Sequence, residues 1–363
     1  MTFRFAEAFA GYGAINDTAD SGWSNAGGCS YANNTGRFGL GGVTSNHGST
    51  FTRGIVKVVA NTDSVHVQFA AKFDAGARSN ACVILRLKNN GGVNTCLSIK
   101  RTPSDGVQLL DANGAVVITS AAGILTPGVW HVILVSASIG DPLTGSAEVY
   151  VNSLTSNPVI TESSIDLNGA GALEDGCDLV QFEEQPAGDN VAGQTWTLSE
   201  LLIWDTEGAL PWSQKIGDKR LYLIQTATDS AEIEWTPNGV GTHQSKVSDD
   251  LTGQHDGDST YNSAAASDKQ ELFFVTPLPA GVVGIAGVIS VLTAKKADGG
   301  AQLQLYHFGE STGAAQWDSP VDELTTVYKN YQFNQLKDPD GTVDWTEAAV
   351  NGMAIGYRSP DPA

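Results

Sequence analysis

The sequence predicts an all-β protein built from two antiparallel β-sandwich domains. Three observations carry that reading. Apolar residues either alternate with period two or gather in short runs, and turn residues recur at about 8–12-residue spacing. No long amphipathic helix pattern stands before residue 340. At 363 residues the chain is also long for one core, which favours two domains.

The elements follow in order. "DSVHVQFAAKF" sets Val65, Val67, Phe69, Ala71 and Phe73 against Ser64, His66, Gln68, Ala70 and Lys72, a half-buried strand with one wet face. "CVILRLK" and "CLSIKR" make a hairpin across "NNGG" (Asn89 to Gly92). "VQLLDANGAVVIT" makes another, with Asn113-Gly114 supplying the positive φ angles of a tight primed turn. "GVWHVILVSAS", "GSAEVYVNS" and "WTLSELLIWD" read as further strands. In "EGALPWSQKIGDKRLYLI" Pro211 breaks the pattern and a strand restarts at Arg220 to Ile224, which places the domain boundary near residue 214 and gives domains 1–214 and 215–363.

The second half continues with "AEIEWTP", "QELFFVTPL", "AQLQLYHFG" and "TTVYKNYQF", a jelly-roll-like succession. The glycine-spaced "AGVVGIAGVISVLTA" (Ala280 to Ala294) is short of the roughly 20 residues of a spanning helix and reads as a buried strand pair. In "DWTEAAVNGMAIGYR", Asp344 or Thr346 caps a short helical turn before a last strand at Met353 to Arg358.

Composition narrows function. Twenty basic against forty acidic residues give a formal charge of −20, which leaves no broad basic surface to displace phosphate counterions and argues against a nucleic-acid partner. No apolar stretch follows a basic start at the N-terminus, so neither an export signal nor membrane insertion is expected. Of the four cysteines, Cys82 and Cys96 flank the "NNGG" turn. An even register sets Cys82 opposite Ile99 and Cys96 opposite Leu85, with the sulfurs on opposite faces, so Cys29, Cys82, Cys96 and Cys177 are expected as reduced thiols.

Two resemblances bear on family. "GVWHVILVSASIGDPLTGSAEVYVNS" (Gly128 to Ser153) and "QTWTLSELLIWD" (Gln194 to Asp205) resemble the concanavalin A-like lectin sandwich of the laminin-G and pentraxin type, with Ser153 where glycine is usual. "IGDKRLYLIQTATDSAEIEWTPN", "HQSKVSDD", "DGDSTYNSAAASDKQELFFVTPLP" and "DPDGTVDWTEAAVNGMAIGYR", spanning Ile216 to Arg358, resemble a module of minor tail proteins of tailed bacteriophages. Together they imply a concanavalin A-like first domain and a virion tail protein, made in the host cytoplasm, that recognises a host-surface glycan or receptor. The implied partners are other tail proteins, the host glycan or receptor, and further copies of the chain.

Candidate sites are few. In "HDGD", Asp256 and Asp258 offer oxygen ligands around Gly257, but counting from Asp256 puts Thr260 at position five and Ser267 at position twelve, which breaks the EF-hand pattern. The expectation is a solvated turn and no cofactor; the acidic composition permits divalent cations, calcium among them. "LEDGCDLVQFEE" holds Glu174 and Asp178 four apart and Glu183 and Glu184 pointing to opposite faces, a poor match to the paired carboxyls of a glycosidase. Glu174 and Asp178 are kept as polar ligand contacts, and Trp23, Tyr31 and Trp196 as platforms for sugar rings. Trp130 and Trp204 read as core. No HExxH, GxSxG or GxxxxGK[ST] pattern exists, and the protein is expected not to be an enzyme. The alternatives are a virion-associated glycan hydrolase and a purely structural tail or capsid decoration protein.

Overall fold

The computed structural model describes residues 3–9, 23–25, 29–32, 34–46, 54–75, 81–89, 91, 93–140, 144–154, 157–168, 176–182, 195–206, 219–248, 256–297, 299, 303–341 and 343–360. The chain forms two compact units, Met1–Leu221 and Tyr222–Ala363. The position expected for the boundary, 214, lies outside the described residues. Both units are built of antiparallel sheets, as the sequence predicts.

The first unit is a sandwich. Its larger, 8-stranded sheet runs in the order Ile160–Ile165, Gly145–Val151, Trp130–Ser138, Ser64–Phe73, Thr195–Asp205, Gly42–Asn46, Cys29–Ala32, with Phe3–Glu7 also pairing to Thr195–Asp205. The smaller, 7-stranded sheet runs Val116–Thr119, Val107–Leu110, Asn94–Arg101, Cys82–Asn89, Cys177–Phe182, Ile55–Thr62, Trp23–Asn25. Alternate side chains of both sheets meet in one core that includes Val65, Val67, Phe69, Ile84, Leu97, Ile133, Val149 and Val180. Phe69 of the larger sheet meets Phe182 of the smaller edge-to-face at 5.1 Å.

The second unit has a 6-stranded sheet in the order Thr226–Ile233, Gln270–Val275, Ala354–Arg358, Gln304–Glu310, Gln316–Asp318, with Asp322–Glu323 paired to Gln304–Glu310. Val288–Ala294 pairs with Lys329–Gln335, and Thr236–Pro237 with Asn262–Ser263. A helix, Glu347–Gly352, is capped by Thr346, whose Oγ1 accepts from the Ala349 N–H at 3.1 Å.

Several local expectations are corrected. The Cys82–Asn89/Asn94–Arg101 hairpin carries two bulges, so Cys82 faces Arg101 and Leu85 faces Ile99. All four cysteines are free thiols; Cys82, Cys96 and Cys177 are buried and Cys29 is half-buried. Around Asn113, only Gly114 has a positive φ. The turn is fixed instead by Asp111, whose Oδ1 accepts from the N–H groups of Asn113 and Ala115. Arg220 to Ile224 is not a strand; the pattern restarts at Thr226. The glycine-spaced run is less buried than its composition suggests, since Val283 and Val291 are exposed and only Val288–Ala294 pairs. The face of Ser64–Phe73 expected to be wet is covered at His66, Gln68 and Ala70, where Gln68 Nε2 donates to the Lys219 carbonyl at 3.1 Å.

Candidate functional site on the outer face of the larger sheet

Strand pairing on the larger sheet lines up its non-core side chains in rows that cross the strands. Ser64, Ser138, Ser146 and Ser163 face one another in succession. The next row is Trp204, His66, Ser136, Glu148 and Thr161. The third is Leu202, Gln68, Leu134 and Tyr150. Adjacent strands lie about 4.8 Å apart, so His66 and Glu148, two strands apart, flank Ser136 across about 10 Å.

These rows grade from wet to dry. Ser138, Thr161 and Ser163 are exposed, and Ser64, Ser136, Ser146 and Glu148 are half-buried. His66, Trp204, Gln68 and Tyr150 are buried. The Tyr150 hydroxyl donates to Glu148 Oε2 at 2.9 Å and fixes the direction of that carboxylate. The His66 ring stacks on Trp204 at 5.3 Å and 21°. A carboxylate, a phenol and an imidazole thus gather at the border of a hydroxyl-lined surface. Such groups can move protons, and rows of hydroxyls suit a polyhydroxylated ligand. No second carboxylate joins Glu148 in these rows, so they do not form the carboxyl pair of a glycosidase.

The residues singled out by sequence lie elsewhere. Trp23 and Trp196 are not surface platforms: both are buried in the first core, Trp23 against Phe5 and Phe9 and Trp196 stacked on Phe73 at 5.9 Å. Their apolar area is worth more removed from water than exposed. Tyr31 is half-buried against the same core. Glu174 lies outside the described residues. Asp178 accepts from the Gly91 N–H at 2.8 Å and so pins the tip of a neighbouring hairpin. Trp204 is fully buried, as expected, on the opposite face of its sheet from the first core, where it stacks on His66.

"HDGD" resolves into a stapled turn, with His255 outside the described residues. Asp256 accepts from Thr260 N at 3.1 Å and Thr260 Oγ1 at 2.7 Å, while Gly257 supplies a φ of 68°. Asp258 is paired with Lys295 Nζ at 2.6 Å and accepts from the Tyr328 hydroxyl at 3.0 Å. The Lys295 contact holds the Asp258 carboxyl below the usual range. Both weak calcium candidates are therefore committed to hydrogen bonds and an ion pair. Among the described residues no group of three or more His, Cys, Asp or Glu is placed to hold a metal ion.

Sequence signals for the outer-face residues did exist. "VHVQF" and "AEVYV" put His66, Gln68, Glu148 and Tyr150 out of phase with the core positions. What the sequence lacked was the strand order that brings them side by side.

Comparison with known proteins finds no matching family model and no matching curated protein. Solved structures are similar at low identity. An alginate lyase shares 12% identity, with 54% of this chain and 93% of that one covered and a TM-score of 0.37. An endo-β-1,4-glucuronan lyase from the fungus Trichoderma reesei shares 12%, covering 56% and 96%, with a TM-score of 0.39. Trypanosoma rangeli sialidase shares 13%, covering 48% and 27%, with a TM-score of 0.34. These neighbours are enzymes by name, which stands against the expectation that this chain is not one.

Proposed function

We propose that this protein is a virion-associated, glycan-cleaving enzyme whose polysaccharide lies across the outer face of the larger sheet of the first unit. The observation that carries the reading is the row His66–Ser136–Glu148–Thr161, with Tyr150 bonded to Glu148 and a row of four serines alongside. In this reading the serine and threonine hydroxyls hold the saccharide. Glu148, oriented by Tyr150, exchanges a proton with the sugar, and His66 supports charge at the other end of the row. Attachment to a phage tail rests on the resemblance of the Ile216 to Arg358 segments to tail proteins. It implies several copies arranged by the symmetry of the particle.

The test is release of reducing ends from purified surface polysaccharide of the host by the full-length chain. Glu148→Gln is expected to slow release at least 100-fold, the range for loss of a proton-transfer group, with polysaccharide binding retained. Undiminished release by that variant, or no release by the native chain, overturns the reading. Antibody labelling of intact particles checks the tail location.

A further inference from the structure

A second feature of the same face is not used by the proton-transfer groups. Between the strands Cys29–Ala32 and Gly42–Asn46, a single 3-10 turn, Arg37–Gly39, presents Phe38 with half of its surface exposed. Two guanidinium groups contact that one ring: Arg37 at 4.4 Å from its centroid and Arg220 at 3.6 Å. Phe38 has φ 59° and ψ 23°, the left-handed region, where a bulky side chain is an outlier and Gly or Asn would fit more easily. Half-exposed, the ring gains little burial to offset that backbone cost. The position therefore favours display of the ring over ease of folding.

Its surroundings fix the geometry. Glu200, buried at a bulge of Thr195–Asp205, accepts from Arg37 Nη1 at 3.4 Å and from the Leu221 N–H at 3.2 Å. One carboxylate thus ties down both segments that carry the arginines. The Arg37 N–H donates to Ser199 Oγ at 3.2 Å, and Ser199 faces Ala70 on the same side of the sheet as His66 and Gln68. Lys72, exposed, follows one row further along that side. Arg37, Lys72 and Arg220 thus share one face of a chain whose net charge is −20. Guanidinium forks match carboxylate and sulfate oxygens, and an exposed ring matches the apolar face of a sugar.

We propose that Arg37, Phe38 and Arg220 form a subsite for an anionic sugar, its carboxylate or sulfate held by the guanidinium groups and its ring set against Phe38. The proposal rests on the glycan reading above and narrows it to acidic polysaccharides. Because the chain as a whole repels polyanions, the attraction is short-range, within a Debye length of about 8 Å at physiological salt.

The test uses the full chain and two matched pairs of probes, polyglucuronate with its carboxyl-reduced neutral form and dextran sulfate with unsulfated dextran, at physiological ionic strength. Calorimetry is expected to show at least one charged polymer binding about tenfold or more tightly than its neutral partner. Arg220→Gln is expected to abolish that difference, Arg220→Lys to restore part of it, and Phe38→Asn, which suits the backbone, to weaken binding without lowering the melting temperature. Equal binding of charged and neutral forms, or a preference unaffected by Arg220→Gln, overturns the anionic subsite while leaving a neutral-glycan reading in place. Binding of none of the four polymers overturns both.

Discussion

A buried guanidinium anchors one corner of the first unit. Arg101 is 1% exposed; its Nη2 and Nε donate to Asp105 Oδ1 at 2.7 and 3.1 Å, and its guanidinium lies 4.6 Å from the Phe73 ring centroid. Arg101→Ala leaves Asp105 without this partner and is expected to cost about 3 kcal/mol, measured by urea unfolding. Phe38→Gly has the opposite sign. Relief of the left-handed backbone should stabilise by about 1 kcal/mol, read as a raised calorimetric midpoint, while the exposed ring is lost. These two residues also show what a sequence conceals. Nothing in composition separates Phe38, displayed at the surface, from Trp23, packed in the core; the difference lies in which strands surround each ring. Likewise the alternation in "VHVQF" set His66 and Gln68 apart from Val65 and Val67 correctly, yet could not show that the chain near Lys219 returns to cover Gln68.

At the level of elements, signals confined to a few neighbouring residues were the legible ones. Thr346 was readable as a cap because a cap needs only a hydroxyl three residues before a free N–H. Thr346→Ala should therefore cost about 1 kcal/mol, with the loss seen in chemical denaturation of the second unit. The hairpin of Cys82–Asn89 and Asn94–Arg101 was visible as a hairpin, but its register was not. Each bulge inserts a residue on one strand, which period-two alternation alone does not reveal. The Val283 to Leu292 stretch failed for a related reason. Its β-branched, glycine-spaced composition suits a buried strand, yet Val283 and Val291 are exposed and only Val288–Ala294 pairs.

Across the molecule, the all-β sandwich architecture was legible because period two recurs along the chain. The candidate site was not, since its rows are drawn from the strands Ser64–Phe73, Trp130–Ser138, Gly145–Val151, Ile160–Ile165 and Thr195–Asp205, spread over much of the first unit. Stability should also respond globally to pH. His307 is 1% exposed, with Nδ1 at 2.6 Å from Ser290 Oγ and Nε2 at 3.7 Å from Asp322 Oδ2, and burial pushes its imidazole down to about 4. Between the ordinary value near about 6.5 and that lower one, the unfolded chain takes up a proton that the folded chain refuses. Acidification through this window should therefore destabilise the second unit, by about 3 kcal/mol in full. Asp322, raised chiefly by burial, works in the opposite direction. Comparing native and His307→Gln melting from pH 7 to pH 4 isolates the histidine: the native midpoint should fall more steeply, and parallel curves would refute the assignment.

The distribution of thiols has a practical reach. Burial raises Cys177 to about 12 and pushes Cys96 up as well, so at neutral pH neither offers a thiolate to an electrophile. Cys82 is enclosed in the same core. Cys29, half-buried on the edge strand of the larger sheet, also packs against that core. A maleimide dye should therefore react slowly with the folded protein and mark all four sulfurs once the first unit opens, so that labelling over time reports how often that sandwich unfolds.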